Sequence, residues 1–133
     1  MEPCEEARQL LLGAEKDLRA LAGMREPEVF AEEIFGFHAQ PAVEKCLKAW
    51  ITLFGAEYPR THDLSFLLSR LESLGERVEE FEDLVEFNPY AVQFRYEAYD
   101  NLGMPVDRDE TVNRVSQLVT RVRAELDGRL PAR

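Results

Sequence analysis

Val112, Val115, Val119, Val122 and Leu126 recur at steps of three, four, three and four residues, and a chain that carries such a stripe must pack helix against helix. At about 100° per residue these side chains fall on one narrow face of an α-helix. The face is too apolar to leave in water and too narrow to be a whole core, so it needs partner helices. Asp107 precedes the stripe and Glu110 follows three residues later, a capping-box arrangement. Gly128 and Pro131 close the segment.

The remaining chain supplies the partners. Ala7, Leu10, Leu11, Ala14, Leu18 and Leu21 make an apolar face over residues 3–22, with Pro3 tolerated in the first turn and Gly23 as a stop. A second helix is predicted from Pro27 or Glu28 to Phe54, with Ala39, Val43, Leu47, Trp50 and Phe54 inward and Gly55 at its end. Pro41 lies inside it, removes a backbone donor and clashes with the preceding turn, which predicts a kink or a break near residues 37–41. Thr61 reads as the N-cap of a third helix whose stripe is Leu64, Leu67, Leu68, Leu71 and Leu74, ended by Gly75. A fourth helix over 77–87 turns Val78, Phe81, Leu84 and Val85 inward. Asn88–Pro89 then reads as a break, because the residue before proline is pushed out of the α region. Tyr90 to Tyr99 has the composition of a short helix. No alternating strand pattern, phosphate-binding glycine loop or repeat appears, so the reading is all-α, a bundle of about five helices in one domain over residues 1–133.

Charge and cysteine content narrow the function. The 133 residues hold 26 acidic and 16 basic side chains, a net charge of −10. General nucleic-acid binding by neutralising many phosphates is therefore disfavoured, although a local basic patch on an acidic chain is compatible with it. Cys4 and Cys46 have no metal-ligand spacing and make no disulfide scaffold. No apolar run reaches the ~20 residues of a membrane span, and the acidic N-terminus is unlike a signal peptide. A cytoplasmic chain with no metal or cofactor is expected.

Three clusters carry potential chemistry. His38, Lys45 and Lys48 share one sector of the second helix, away from its core face, and a cationic strip ending in an imidazole can hold a phosphate. The alternative is a solvated face on which Glu44 pairs with Lys48 four residues on. His62 is expected in the first turn of the third helix and Arg60 just outside it, where free backbone N–H groups receive either a capping side chain or an anion. Arg95, Tyr96, Tyr99 and Asp100, with Tyr90 and Phe94, suit either a base-stacking, phosphate-clamping surface or an apolar plug over the bundle end. The seven carboxylates between Glu72 and Glu86 scatter around a helix and read as solvated surface.

Taken in order, these segments resemble the HEPN domain family, the higher-eukaryote and prokaryote nucleotide-binding domains. The resemblance runs from Ala14–Glu15–Lys16–Asp17–Leu18, through the stretch from Phe37 to Ala49 with its Gln40, Glu44–Lys45 and Lys48, to Thr61–His62–Asp63–Leu64, and then to Pro89–Tyr90 and Arg95–Tyr96. It implies an up-and-down bundle that usually dimerises and a role around nucleotides or RNA; for such a role His38, Lys45, Lys48, Arg60, His62, Arg95 and Tyr96 are the expected nucleotide- or phosphate-binding residues. Many members are encoded beside a minimal nucleotidyltransferase and act as its partner in a toxin–antitoxin pair.

The alternative that the resemblance implies is a metal-independent endoribonuclease toxin. Active family ribonucleases carry an arginine followed after four to six residues by a histidine. Here Arg95 is followed by Tyr96, Glu97, Ala98, Tyr99, Asp100, Asn101 and Leu102, and that histidine is missing. Cleavage through a 2′-hydroxyl needs a group that exchanges protons near neutral pH. Asp100 meets the need only with a strongly raised pKa; His38 or His62 meets it if the fold brings one of them to Arg95. Pro41 stands where the family tends to have glutamine or another helix former.

Overall fold

The computed structural model describes residues 2–91 and 105–129. Four α-helices and one 3-10 helix follow in order: α1 (Pro3–Gly23), α2 (Glu32–Leu53), α3 (Leu64–Ser73), the 3-10 helix (Glu79–Ala91) and α4 (Arg108–Arg129). The described residues hold no strand. α2 is the hub, in contact with all four other elements, while α1 and α4 also touch each other.

Most local signals act as the sequence suggests. Leu11, Leu67, Leu71, Val115, Val122 and Leu126 are fully enclosed in one apolar cluster. Asp107 caps α4 by accepting from the Glu110 amide at 3.0 Å, whereas the Glu110 carboxylate pairs forward with Arg114. Gly75 sits at φ 93°, where its amide bonds the Glu72 carbonyl and the Glu76 amide bonds that of Leu71. This left-handed closure satisfies the last carbonyls of α3 and is strained for any residue with a Cβ.

α2 departs from the reading in three ways. It starts at Glu32 and not at 27–28, because Glu26 closes a separate turn by accepting from Val29 and Phe30. The Arg108 guanidinium, buried against the Phe35 ring, fixes that turn by donating to the carbonyls of Met24 and Phe30, both at 2.8 Å. Second, of the kink or break open to Pro41, the break does not occur: one helix runs through it from Glu32 to Leu53. Third, burial is not confined to one stripe. Gly36, Ala42, Cys46, Ala49 and Ile51 are enclosed together with Ala39, Val43, Leu47 and Trp50, as expected of a helix surrounded by others. Phe54, expected inward, is instead partly exposed just past the end of α2 beneath the Arg129 guanidinium.

The fourth segment is not an α-helix. Val78, Phe81, Leu84, Phe87 and Tyr90, all enclosed, are spaced by three residues each. At 3.6 residues per turn such a series drifts around the helix, whereas at 3.0 per turn its members eclipse and form one ridge. That ridge packs on α2, and the 3-10 path continues through Asn88 and Pro89, where a break was expected. Asn88 ties it to α3: its Oδ1 accepts from the Leu64 amide at 2.7 Å and its Nδ2 donates to Asp63 at 2.9 Å. Asp63, not Thr61, is the N-cap of α3 and accepts from Ser65. Thr61 instead accepts from the Asp63 amide and holds the preceding turn.

Candidate functional site

Gln40, Glu44 and Lys48 rise along one row of α2, and Glu44 is its centre. Its carboxylate accepts from Gln40 Nε2 at 2.8 Å, from Lys48 Nζ at 2.9 Å and from His62 Nδ1 at 2.8 Å. Burial raises the pKa of this carboxyl, but the donors Gln40, Lys48 and His62, together with the Lys48 charge, outweigh burial and leave it below the ordinary carboxylate value. Gln40 is itself buried, and its second amide hydrogen reaches the His62 carbonyl at 3.1 Å. α2 thus holds both the ring and the backbone of His62. The Lys48 ammonium lies 5.1 Å from the centre of the Tyr58 ring, which anchors the loop that leaves α2.

A second carboxylate does similar work between helices. Asp17 of α1 takes Lys45 Nζ at 2.8 Å and lies 3.6 Å from His38 Nδ1. Gly13 lets the Lys45 stem cross α1, since a Cβ there would sit 3.2 Å from Lys45 Cδ. The predicted cationic strip is therefore a neutralised network in which two ammonium groups meet two carboxylates. An anion that reaches Lys45 must compete with Asp17.

A cleft of about 300 Å³ opens beside this network, lined by Phe37, Gln40, Pro41, Glu44, Lys45, His62, Tyr90 and Ala91. Its wall on the 3-10 side depends on Gly36, because a Cβ there would collide with the Tyr90 ring. The cleft brings Lys45 and His62 together. His38 and Lys48 are not in its lining, and Arg60 lines a different cleft near Pro3 and Glu6. His62 precedes the N-cap of α3 and does not stand in its first turn. The two leading amides of that helix, Leu64 and Ser65, are already taken by Asn88 and Asp63. Arg95, Tyr96 and Asp100, like Phe94 and Tyr99, lie outside the described residues.

A larger cleft of about 450 Å³ lies between the 3-10 helix and the start of α4, where Asp83, Glu86, Asp107 and Glu110 face the single Arg114. Burial, followed by Asp83, raises the Glu86 carboxyl above its ordinary value. This is the wrong charge for a phosphate. Among the described residues, no three His, Cys, Asp or Glu side chains are grouped to hold a metal ion, and no helix is long and apolar enough to cross a membrane.

Comparison with known proteins now decides the family. The HEPN domain model matches residues 7–127. The chain belongs to the HEPN domain family. A crystal structure of an archaeal HEPN homologue superposes with a TM-score of 0.65 at 20% identity, covering 91% of this chain and 98% of that one. That likeness concerns the fold. No curated protein matches the chain.

Asp17 and Gln40 stood only in the segments that carry the family resemblance, and Tyr90 was grouped with Arg95 and Tyr96; the cleft sets Gln40 and Tyr90 beside Lys45 and His62, and Asp17 holds Lys45. Gln40 and Glu44 carried a signal, since they stand four apart on the row that ends in Lys48. Asp17 carried none by itself, because its pairing with Lys45 spans 28 positions.

Proposed function

We propose that this HEPN domain binds nucleotide or RNA phosphate in the cleft between Pro41–Lys45 and Tyr90, as the partner of a minimal nucleotidyltransferase in a toxin–antitoxin-like pair. One observation carries the reading: Lys45 and His62, far apart in sequence, line the same cleft beside an aromatic wall. In this reading Lys45 meets the phosphate and His62 hydrogen-bonds it. Lys48 and His38 act through Glu44 and Asp17, and Arg95 with Tyr96, four and five residues beyond Ala91 in the chain, supply a further cation and a stacking ring. A homodimer is part of the proposal. The net charge of −10 repels long polyanions at a distance but hardly hinders a short, local phosphate contact. Sedimentation combined with titration of ATP, GTP and a short RNA tests it. Wild type should be a dimer that binds at least one of the three, and Lys45→Ala/Arg95→Ala should lose that binding. A monomer at tens of micromolar (roughly the range in which a weak pair still forms) defeats the dimer, and unchanged binding by the double variant defeats the assignment. The transferase claim is tested by co-expression with a transferase encoded beside this gene; failure to recover a complex removes it.

A second reading, a metal-independent endoribonuclease, is favoured by the Glu44–His62 contact at 2.8 Å. A carboxylate only accepts, so the imidazole must carry its proton on Nδ1, which leaves Nε2 as a base, the arrangement of an acid-oriented catalytic histidine. Structured RNA incubated in EDTA with wild type, His62→Ala and Arg95→Ala tests this reading. Cleavage by wild type alone supports it, and intact RNA with wild type removes it.

A further inference from the structure

The cleft is charge-balanced before any ligand enters. Asp17 holds Lys45 and Glu44 holds Lys48, so with a neutral imidazole at position 62 the wall offers an incoming anion no net positive charge. Glu44 is also shielded from water, with a side chain 13% exposed. An oxyanion beside it meets repulsion that solvent screens poorly. A phosphate is held more firmly if a group of this described wall becomes more positive.

The described lining holds one imidazole, that of His62, the side-chain class that exchanges protons in the physiological range. Its tautomer is fixed, since Nδ1–H donates to Glu44. Nε2 has no partner among the described residues, and with a side chain 61% exposed it is open to protons from solvent. Among the described residues the charged groups around it are accounted for, Arg60 of its own loop lining the other cleft. On α2, Glu44 touches the ring, Lys48 is spent on Glu44, and Lys45 on Asp17 of α1. In its own loop Asp63 is turned to Ser65 and Asn88, and the 3-10 helix contributes the uncharged Asn88 and Tyr90. Gln40 pins the arrangement with one N–H on the Glu44 carboxylate and one on the His62 carbonyl.

Building on the phosphate-binding reading above, we infer that a phosphate oxyanion enters this cleft together with one proton, taken up by His62 Nε2, and that Gln40 and Glu44 are the positioning residues that make the ring available for it. The proton comes from solvent, a new N–H bond forms at Nε2, and that N–H donates to the oxyanion. Glu44 then faces an imidazolium, so the entering negative charge is compensated on the cleft wall itself.

Two probes keep a constant charge between about pH 5 and pH 8, where histidine titrates: sulfate and a dinucleotide phosphodiester. Calorimetric titration of each, in buffers of different ionisation heat, reads affinity and proton uptake together. Wild-type affinity should fall by up to about tenfold per pH unit above the histidine titration, with one proton taken up per probe bound. His62→Gln, which keeps a donor toward Glu44, should bind both probes more weakly at low pH and with no pH dependence. Gln40→Met, similar in volume but without either donor, should keep the histidine and show a shallower slope. Wild-type binding that is flat with pH overturns the inference and leaves the phosphate-binding reading standing. A slope unchanged in His62→Gln also overturns it. Absence of binding at every pH removes the phosphate-binding reading, and this inference with it.

Discussion

Asp17 and Glu44 each gather one lysine and one histidine, yet the two clusters serve different ends. Asp17 joins two helices: it receives Lys45 from α2, and His38 stands off at 3.6 Å, its ring outside the cleft lining. Glu44 works within one helix and the loop that returns to it, with three donors between 2.8 and 2.9 Å. The same inventory thus gives a brace in one place and an oriented imidazole in the other. The number of donors and the access of water decide which. Lys45 is 38% exposed and can be solvated without its partner, whereas Lys48, at 12%, cannot.

Removing each carboxylate breaks the comparison most directly. Glu44→Ala leaves the Lys48 ammonium shielded and unpaired and strands a Gln40 donor, so a loss of about 3 kcal/mol in unfolding free energy is expected from denaturant titration. Asp17→Ala should cost about 1 kcal/mol or less, because the Lys45 head turns to solvent. Equal losses would mean that exposure does not separate the clusters.

The glycines beside the two clusters sharpen it next. Gly36→Ala drives a methyl group into the Tyr90 ring, which must leave α2; a loss of about 2 kcal/mol and weaker phosphate binding are expected. Gly13→Ala meets only the flexible Lys45 stem and gains helix propensity, so the change should lie between zero and about 1 kcal/mol of stabilisation. A thermal-melt comparison of the pair reads both signs.

Acid titration gives a smaller effect of known direction. The Glu44 carboxyl lies below its unfolded value of 4.5, so its contribution is present above that pH and is lost as pH falls through the folded pKa. The stability gap between wild type and Glu44→Gln should therefore be widest near neutrality and shrink below about pH 4.5. Smallest is the opposite case. Glu86 is raised, first by burial and then by Asp83. Its charged form is penalised above pH 4.5 and relieved on acidification, so Glu86→Gln should slightly stabilise the protein at neutral pH and make no difference in acid. A destabilised Glu86→Gln at neutral pH would show that Arg114 contributes more to that carboxylate than its neighbours remove.

What the sequence determined by itself is what is encoded over three or four neighbouring positions. The Val112–Leu126 seam, the Asp107 cap, the closures at Gly55 and Gly75 and the Glu44–Lys48 pair could all be read from it, because each depends on residues one helical turn apart. The 3-10 ridge was equally present, as the three-residue series from Val78 to Tyr90, but a step of three also fits an α-helical face over one turn, and packing on α2 selects the tighter winding. Tertiary structure alone decided the rest. It wrapped α2 on nearly all sides, used Asn88 to complete the start of α3, set Arg108 on the carbonyls before α2, and brought Asp17 to Lys45 and His62 to Glu44. Those contacts join positions 18 to 84 residues apart. No local period specifies such pairs; they form only when apolar burial has fixed how the helices lie against one another.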